Sequence, residues 1–205
     1  SDTIMKVQPI SYSSKSLLSA QTNQTDSTIK TKLDNWYQSN LTSYSSYIAD
    51  ETFCNDRSIM KGSGYKIDIA TYYQPYYRVV DNRNSSSLKC NQENDKFRVS
   101  NARAKLDYPI GLITTDEATL AGTVYNVMNT NYYLYQPIVF YTLSPIYFSS
   151  LNSESVVWSI FNGSFTAMGN VSAGYSIRPV INLKANTMIT KGDGSSLNPY
   201  ILSVN

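Results

Sequence analysis

The chain has no histidine, and only 16% of its 205 residues are charged. Without imidazole there is no Ser–His or Cys–His pair for nucleophilic catalysis and no imidazole metal ligand. The 17 basic and 15 acidic residues nearly balance and are scattered, which argues against nucleic-acid binding. No apolar run approaches the roughly 18 residues that a membrane-spanning helix needs. We therefore expect a protein that is not an enzyme, binds no nucleic acid, does not insert into a membrane, and needs no metal or cofactor.

Polar uncharged residues and tyrosine dominate what is present. The chain contains 29 serines, 17 threonines, 19 asparagines and 18 tyrosines, while its hydrophobic content of 41% is enough for a core. Tyrosine supplies large contact area with few rotatable bonds, and serine and asparagine supply adaptable hydrogen bonds. This composition indicates a binding surface, although it is equally typical of polar extracellular domains rich in β-structure.

The two cysteines, Cys54 and Cys90, allow one intramolecular disulfide. Low charge and abundant Ser and Thr favour an oxidising, extracellular location, where such a bond would persist. The alternative is a pair of buried free thiols. Between Asn55 and Asn101 the sequence predicts a long irregular region, which a disulfide would help to hold.

Helical periodicity appears in two places. Ile29, Leu33 and Trp36 are spaced for one face of a helix over residues 28–40, which Asp26 or Ser27 would cap. A short helix over 115–121 would begin after Thr114 or Thr115 and place two acidic residues in its first turn.

Residues 1–25 read as an N-terminal strand and linker segment, with a strand candidate at 3–10, and residues 26–205 as the main domain. The last third of that domain predicts short strands with turns at Asn162-Gly163 and Asp193-Gly194. The predicted strands are Tyr108–Ile113, Val139–Leu143, Val156–Phe161, Tyr175–Leu183 and Tyr200–Val204. The predicted helices come early in the sequence and most of the predicted strands come later. This order indicates an α+β fold in which two helices brace short antiparallel strands connected by long irregular loops.

Several strings resemble a bacterial family. They are the segments 33–37 (LDNWY), 53–58 (FCNDRS), 108–122 (YPIGLITTDEATLAG), 133–135 (YLY), 141–145 (YTLSP), 177–183 (IRPVINL), 192–194 (GDG) and 198–200 (NPY). Together they resemble C-type-lectin-like domains related to the formylglycine-generating-enzyme fold, which occur on bacterial surface proteins. Some members of that group are variable proteins of diversity-generating retroelements, in which a reverse transcriptase rewrites adenine-containing codons near the C-terminal end.

The resemblance implies a C-type-lectin-like fold over residues 26–205 and a diversified Tyr-rich face built by segments 136–151 and 159–175. Apolar residues after the Asn162-Gly163 turn, where a polar hairpin is expected, favour an exposed contact patch. The predicted ligand-binding residues are Gln136, Ile138, Phe140, Tyr141, Ile146, Tyr147, Phe148, Leu151, Phe161, Phe165, Met168 and Tyr175. The calcium-site pattern of sugar-binding lectins is not met, because Gln136-Pro137 is followed by Ile138 and Trp158 by Ser159.

We therefore predict an extracellular receptor- or adhesin-type domain, displayed on a bacterial cell surface or a phage particle. Its partner would be a protein on another cell or phage surface. The alternative is a structural pilin-like or stalk subunit without a diversified site, which would associate with copies of itself.

Overall fold

The computed structural model describes residues 6–7, 23, 25–61, 63–64, 70–81, 85–149, 154–171, 173–195 and 197–204. Within them the chain forms a mixed α+β structure with few helices. The helices are α1 (Thr28–Asn40), α2 (Gln74–Val80) and α3 (Thr115–Leu120), with 3₁₀ turns at Thr42–Tyr47 and Glu93–Asp95. The strands are β1 (Lys6–Val7), β2 (Thr25–Asp26), β3 (Phe53–Cys54), β4 (Thr71–Tyr72), β5 (Lys96–Phe97), β6 (Val124–Tyr125), β7 (Phe140–Ser149), β8 (Glu154–Phe161), β9 (Ser164–Asn170), β10 (Thr187–Lys191) and β11 (Ile201–Val204). The α+β class is confirmed.

Both predicted helices are confirmed, and local capping explains where they begin. Ser27 caps α1, because its Oγ accepts a hydrogen bond from the backbone N–H of Lys30 at 3.0 Å. Thr114 caps α3 in a reciprocal capping box with Glu117, which satisfies two N–H groups that a helix start otherwise leaves unpaired.

Helix α2 lies inside the region predicted to be irregular, so that part of the prediction is wrong. Its Tyr and Val residues are weak helix formers, which is why the sequence gives no helical signal there. Pro75 stands in the first turn, where a missing N–H costs nothing, and it is buried together with Val79. Tertiary burial rather than intrinsic propensity therefore stabilises this helix.

A five-stranded sheet in the order β4-β7-β8-β9-β6 forms the centre of the molecule. All its pairings are antiparallel except that of β6 with β9, which is parallel. Asn162 and Gly163, both with positive φ, make the turn between β8 and β9, which confirms that predicted turn. The second predicted turn, at Asp193-Gly194, lies instead within a longer connection between β10 and β11.

Two predicted strands are not strands. Segments 108–113 and 175–183 form isolated bridges, one of which joins Gly111 to Val180 through two backbone hydrogen bonds of 3.0 and 2.9 Å. Pro109 and Pro179 have no N–H to donate, which removes one possible ladder hydrogen bond from each segment. For the predicted strand at 3–10, the described residues show pairing of Lys6–Val7 with Thr25–Asp26. The predicted boundary between residues 25 and 26 stays a prediction.

Both faces of the sheet are covered by core. One cluster contains Leu33 and Tyr37 of α1 together with Val157 of β8. The other contains Trp158, Ile160 and neighbouring residues of β7 and β9. Consecutive residues of β8 therefore point into different cores, and residues 155–160 are all buried.

A disulfide joins Cys54 to Cys90, as predicted, with the two Cα atoms 5.6 Å apart. It ties the segment after α2 to strand β3. Next to it, the guanidinium of the fully buried Arg57 donates from Nε to Asp95 Oδ1 at 2.7 Å, and the backbone N–H of Arg57 donates to Asp95 Oδ2 at 2.8 Å. Among the described residues, no helix has the length and apolar character needed to cross a membrane.

We expect the double variant Cys54→Ser/Cys90→Ser to lose about 3–4 kcal/mol of unfolding free energy, because the disulfide closes a loop between residues 36 positions apart. Urea titration of the oxidised protein and of the variant measures the loss. Adding a reductant should destabilise the wild-type protein by a similar amount and leave the variant unchanged. Equal stability of variant and wild type would show that the bond contributes nothing.

Candidate ligand-binding face

The structure places the predicted site residues in exposed, half-buried and fully buried environments. Gln136, Ile138 and Phe161 are exposed, the last two with 44% and 37% of their surface accessible. Tyr147, Phe148 and Tyr175 are half-buried. Met168 lies in β9, and Leu151 lies outside the described residues.

Four of the predicted contact residues are buried, so the expected exposed patch is wrong at these positions. Phe140, Tyr141, Ile146 and Phe165 are each no more than 2% exposed and have no accessible surface to offer a ligand. Tyr141 shows the reason, since its hydroxyl donates to the backbone carbonyl of Asn170 at 2.9 Å, inside the fold. Both faces of their sheet are covered, so an aromatic side chain inside a strand is buried whichever way it points.

The exposed residues gather at one end of the sheet. Gln136 and Ile138 precede β7, Phe161 ends β8, and the loop over residues 126–135 lies beside them. That loop exposes further large apolar side chains. We define the loop face as Val127, Met128, Tyr133, Ile138 and Phe161, which are 51%, 62%, 71%, 44% and 37% exposed.

Val127, Met128 and Tyr133 are not among the ligand-binding residues predicted from the sequence. Tyr133 belongs to one of the strings that carry the family resemblance, but nothing in its spacing predicts exposure. A signal was available in the polar Asn-rich run from 126 to 131, within which two apolar residues stand without helical or strand periodicity.

Burial of Tyr132 in the core cluster that contains Phe140 and Trp158 holds the loop against the sheet, and hydrogen bonds brace the loop and its surroundings. The N–H of Asn162 donates to the carbonyl of Gln136 at 3.2 Å, which joins the β8–β9 turn to the residues before β7. The side chain of Asn129 donates to the carbonyl of Gly122 at 3.0 Å, and its own carbonyl accepts from Tyr132 N–H at 3.3 Å. The loop face is therefore presented by an anchored loop.

A groove of about 430 Å³ borders the loop face. Its apolar lining residues are Ile113, Tyr133, Leu134 and residues 179–181. Glu117 of α3 is the charged residue in this lining. The groove is thus apolar with one carboxylate at its border, which suits an apolar side chain that carries a neighbouring donor or positive charge.

Tyr147 and Phe148 lie at the opposite end of β7, roughly 30 Å from Ile138 at the usual rise per strand residue. There Tyr147 packs against Tyr72, with ring centroids 5.4 Å apart, and Tyr72 against Tyr76 at 4.8 Å. Burial, together with neighbouring tyrosines and Asp81, raises the pKa of Tyr76. The single face predicted from segments 136–151 and 159–175 is therefore divided between two ends of the sheet.

Tertiary structure also brings three carboxylates together that are dispersed in the sequence. One oxygen from each of Asp26, Asp34 and Asp107 lies within 4.8 Å of the others. The buried Lys30 ammonium donates a hydrogen bond to Asp34 and already supplies positive charge there. Burial raises the pKa of Asp34 against the opposing effect of Lys30. These residues are the described group whose geometry could hold a cation.

Comparison of the chain with protein-family models, with curated proteins and with solved structures finds no match.

We expect Gly163→Ala to disturb the loop face. Gly163 has φ +72°, and a Cβ there would lie 2.2 Å from the carbonyl oxygen of Asn129. The left-handed backbone alone should cost about 1–2 kcal/mol of unfolding free energy, and the contact with Asn129 should add to it. Urea titration measures the stability, and proton–nitrogen NMR spectra locate the displaced residues.

Gly174→Ala is the matched control, because a Cβ there would meet no atom within 4 Å and no positive φ is required. It should change neither stability nor the NMR signals of residues 126–135. Equal effects of the two substitutions would contradict the anchoring of the loop on Gly163.

Proposed function

We propose that this chain is an extracellular ligand-binding domain, and that the loop face is its contact surface. The observation that carries the proposal is the exposure of five large apolar side chains at one end of the sheet, three of them on the anchored loop and two at the adjoining ends of β7 and β8. Clustered apolar residues on a surface otherwise rich in Ser and Asn are typical of protein interaction sites. Tyr133 and Phe161 would anchor a protein partner, with Gln136 and neighbouring asparagines adapting around them.

The C-type-lectin-like fold is part of this proposal. Its support is the α+β architecture with few helices and the two correctly placed helices. The extracellular location, on a bacterial cell or a phage particle, draws its support from the Cys54–Cys90 disulfide.

We further propose that the loop face belongs to a variable protein of a diversity-generating retroelement. The resemblance in sequence motivates this step, and the burial pattern refines it. Variation is tolerated where a side chain contacts solvent, whereas most substitutions in a close-packed core are destabilising. Diversified positions are therefore expected at exposed residues such as Gln136, Ile138 and Phe161, and not at Phe140 or Tyr141.

Sequencing this locus across many cells of one population tests the proposal. We expect substitutions at positions that are adenine in the retroelement template, in codons within about residues 136–176, concentrated at Gln136, Ile138 and Phe161. The codons for the buried Phe140, Tyr141 and Trp158 should stay constant. The codons of α1, which lie outside the diversified segments, are the internal control.

An invariant locus would contradict diversification and would favour a fixed surface subunit. Substitutions spread evenly over α1 and the core strands would contradict it as well, because they would indicate ordinary mutation.

One feature favours the alternative of a structural subunit. Strands β10 and β11 pair with each other, and their residues Met188, Ile189 and Ile201 are more than half exposed. A two-stranded ribbon is marginally stable alone, and its outer edges offer backbone groups to another strand. A second copy of the chain could cover the exposed apolar residues of this ribbon, and one of its strands could pair with the outer edge.

Sedimentation velocity separates the two functions. The proposed binding domain should sediment as a monomer at micromolar concentration, and Ile189→Thr should not change this, because its partner is another protein. Association that grows with concentration and is lost in Ile189→Thr would favour the structural subunit. Thr190→Ser, in the same strand and also exposed, is the control for a change that removes little apolar surface.

A further inference from the structure

A second cavity, of about 440 Å³, is lined in part by Thr114, Asp116 and Glu117 at the start of α3. The disulfide forms part of its wall, because Cys54 and the segment from Ser87 to Cys90 line it. Glu117 contributes to the lining of both the groove and this cavity. The volume lies within the usual range of small-molecule sites.

Four acidic and four basic side chains line the cavity, and the acidic ones are already engaged. Asp116 accepts two hydrogen bonds of 2.8 Å from Arg78 and one of 3.0 Å from Ser87 N–H. Asp56 accepts from the same guanidinium at 2.8 Å. Burial by itself would lower the pKa of Arg78, but these two carboxylates raise it above its usual value.

The other two carboxylates also have partners. Glu93 accepts a hydrogen bond from the Lys96 ammonium. Glu117 accepts two bonds of 2.8 Å from Thr114 in the capping box of α3. No acidic side chain of the lining is therefore left without a donor.

Two of the four basic side chains, by contrast, have no acidic partner. Arg98 and Lys89 form no ion pair with any carboxylate of the described residues. The Nε of Arg98 is shielded from water and has no hydrogen-bond partner. Because the shielded Nε cannot reach a ligand in the open cavity, the donors that Arg98 offers there are its two terminal nitrogens, which are not among the shielded unpaired atoms.

We propose that this cavity binds a small ligand with a carboxylate group, which pairs with Arg98. A planar guanidinium matches a carboxylate through two parallel hydrogen bonds, and Lys89 supplies a second positive charge at the wall. The hydroxyls of Thr52 and Ser87 suit a polar ligand body of monosaccharide or dipeptide size. This site does not depend on the loop face, so either proposal can fail without the other.

Titration of the oxidised protein with glucuronate and with the dipeptide Ala-Ala tests the site, using isothermal calorimetry and NMR shifts of the Arg98 side chain. Glucose and the amide Ala-Ala-NH₂ are the counterparts in which an uncharged group replaces the carboxylate. We expect the carboxylate-bearing member of at least one pair to bind at least tenfold more tightly than its counterpart. The pair that responds identifies a sugar acid or a peptide carboxylate as the source.

Substitution then assigns the group responsible. Arg98→Gln should weaken binding of the acidic ligand at least tenfold, and Arg98→Lys should retain part of it, because the charge remains while the fork is lost. Arg103→Gln is the matched control, since Arg103 is an exposed arginine that does not line the cavity, and it should bind as wild type does.

Three outcomes would overturn the proposal. They are binding of neither acid at millimolar concentration, equal binding of acid and counterpart, and unchanged binding in folded Arg98→Gln. If Arg98→Gln does not fold, Arg98→Lys is used in its place. Wild-type affinity for the acidic ligand in Arg98→Lys would equally reject bidentate recognition.

Discussion

The guanidinium of Arg78 connects parts of the chain on which both candidate sites depend. From helix α2 it binds Asp116 in the first turn of α3 and Asp56 after strand β3. Asp116 also accepts from Ser87, so the segment that leads to Cys90 is attached to the same centre. The side chains of Asp56 and Asp116 are only 12% and 7% exposed. Removing Arg78 would leave both carboxylates without their cation, and burying an unpaired carboxylate is strongly destabilising. This interaction helps to fix the position of α3, and with it Glu117, which lines both the groove and the cavity.

The two candidate sites use different physical means on one scaffold. The loop face offers apolar and aromatic surface at the end of the sheet, where affinity would come from desolvation of large side chains. The disulfide-bordered cavity offers charge in a partly enclosed space, where a single guanidinium would select for a carboxylate. Both are built from connections held by backbone hydrogen bonds or by the disulfide, while the sheet with its two covered faces supplies the rigid frame.

Local chemistry made several elements predictable. Helix α1 follows from its apolar spacing and the Ser27 cap, α3 from the Thr114–Glu117 capping box, and the β8–β9 turn from the Asn-Gly pair. Each depends on residues a few positions apart, so the sequence contains the whole interaction. Helix α2 was not predictable in this way, since burial of Pro75 and Val79 by distant residues compensates for its weak propensity.

Local sequence patterns do not determine which residues of the candidate site are exposed. The sequence by itself determined that this is a polar, Tyr-rich α+β chain without histidine, in which Cys54 can pair with Cys90 and the helices begin at their caps. Only the tertiary structure decided that Ile138 is exposed whereas Phe140, two residues on, is buried. Alternation along a strand distinguishes inside from outside only when one face of the sheet is solvated. Here both faces are covered, so burial depends on where a strand ends and what packs across it. In the described part of this sheet, the exposed aromatic residue Phe161 accordingly lies at a strand terminus.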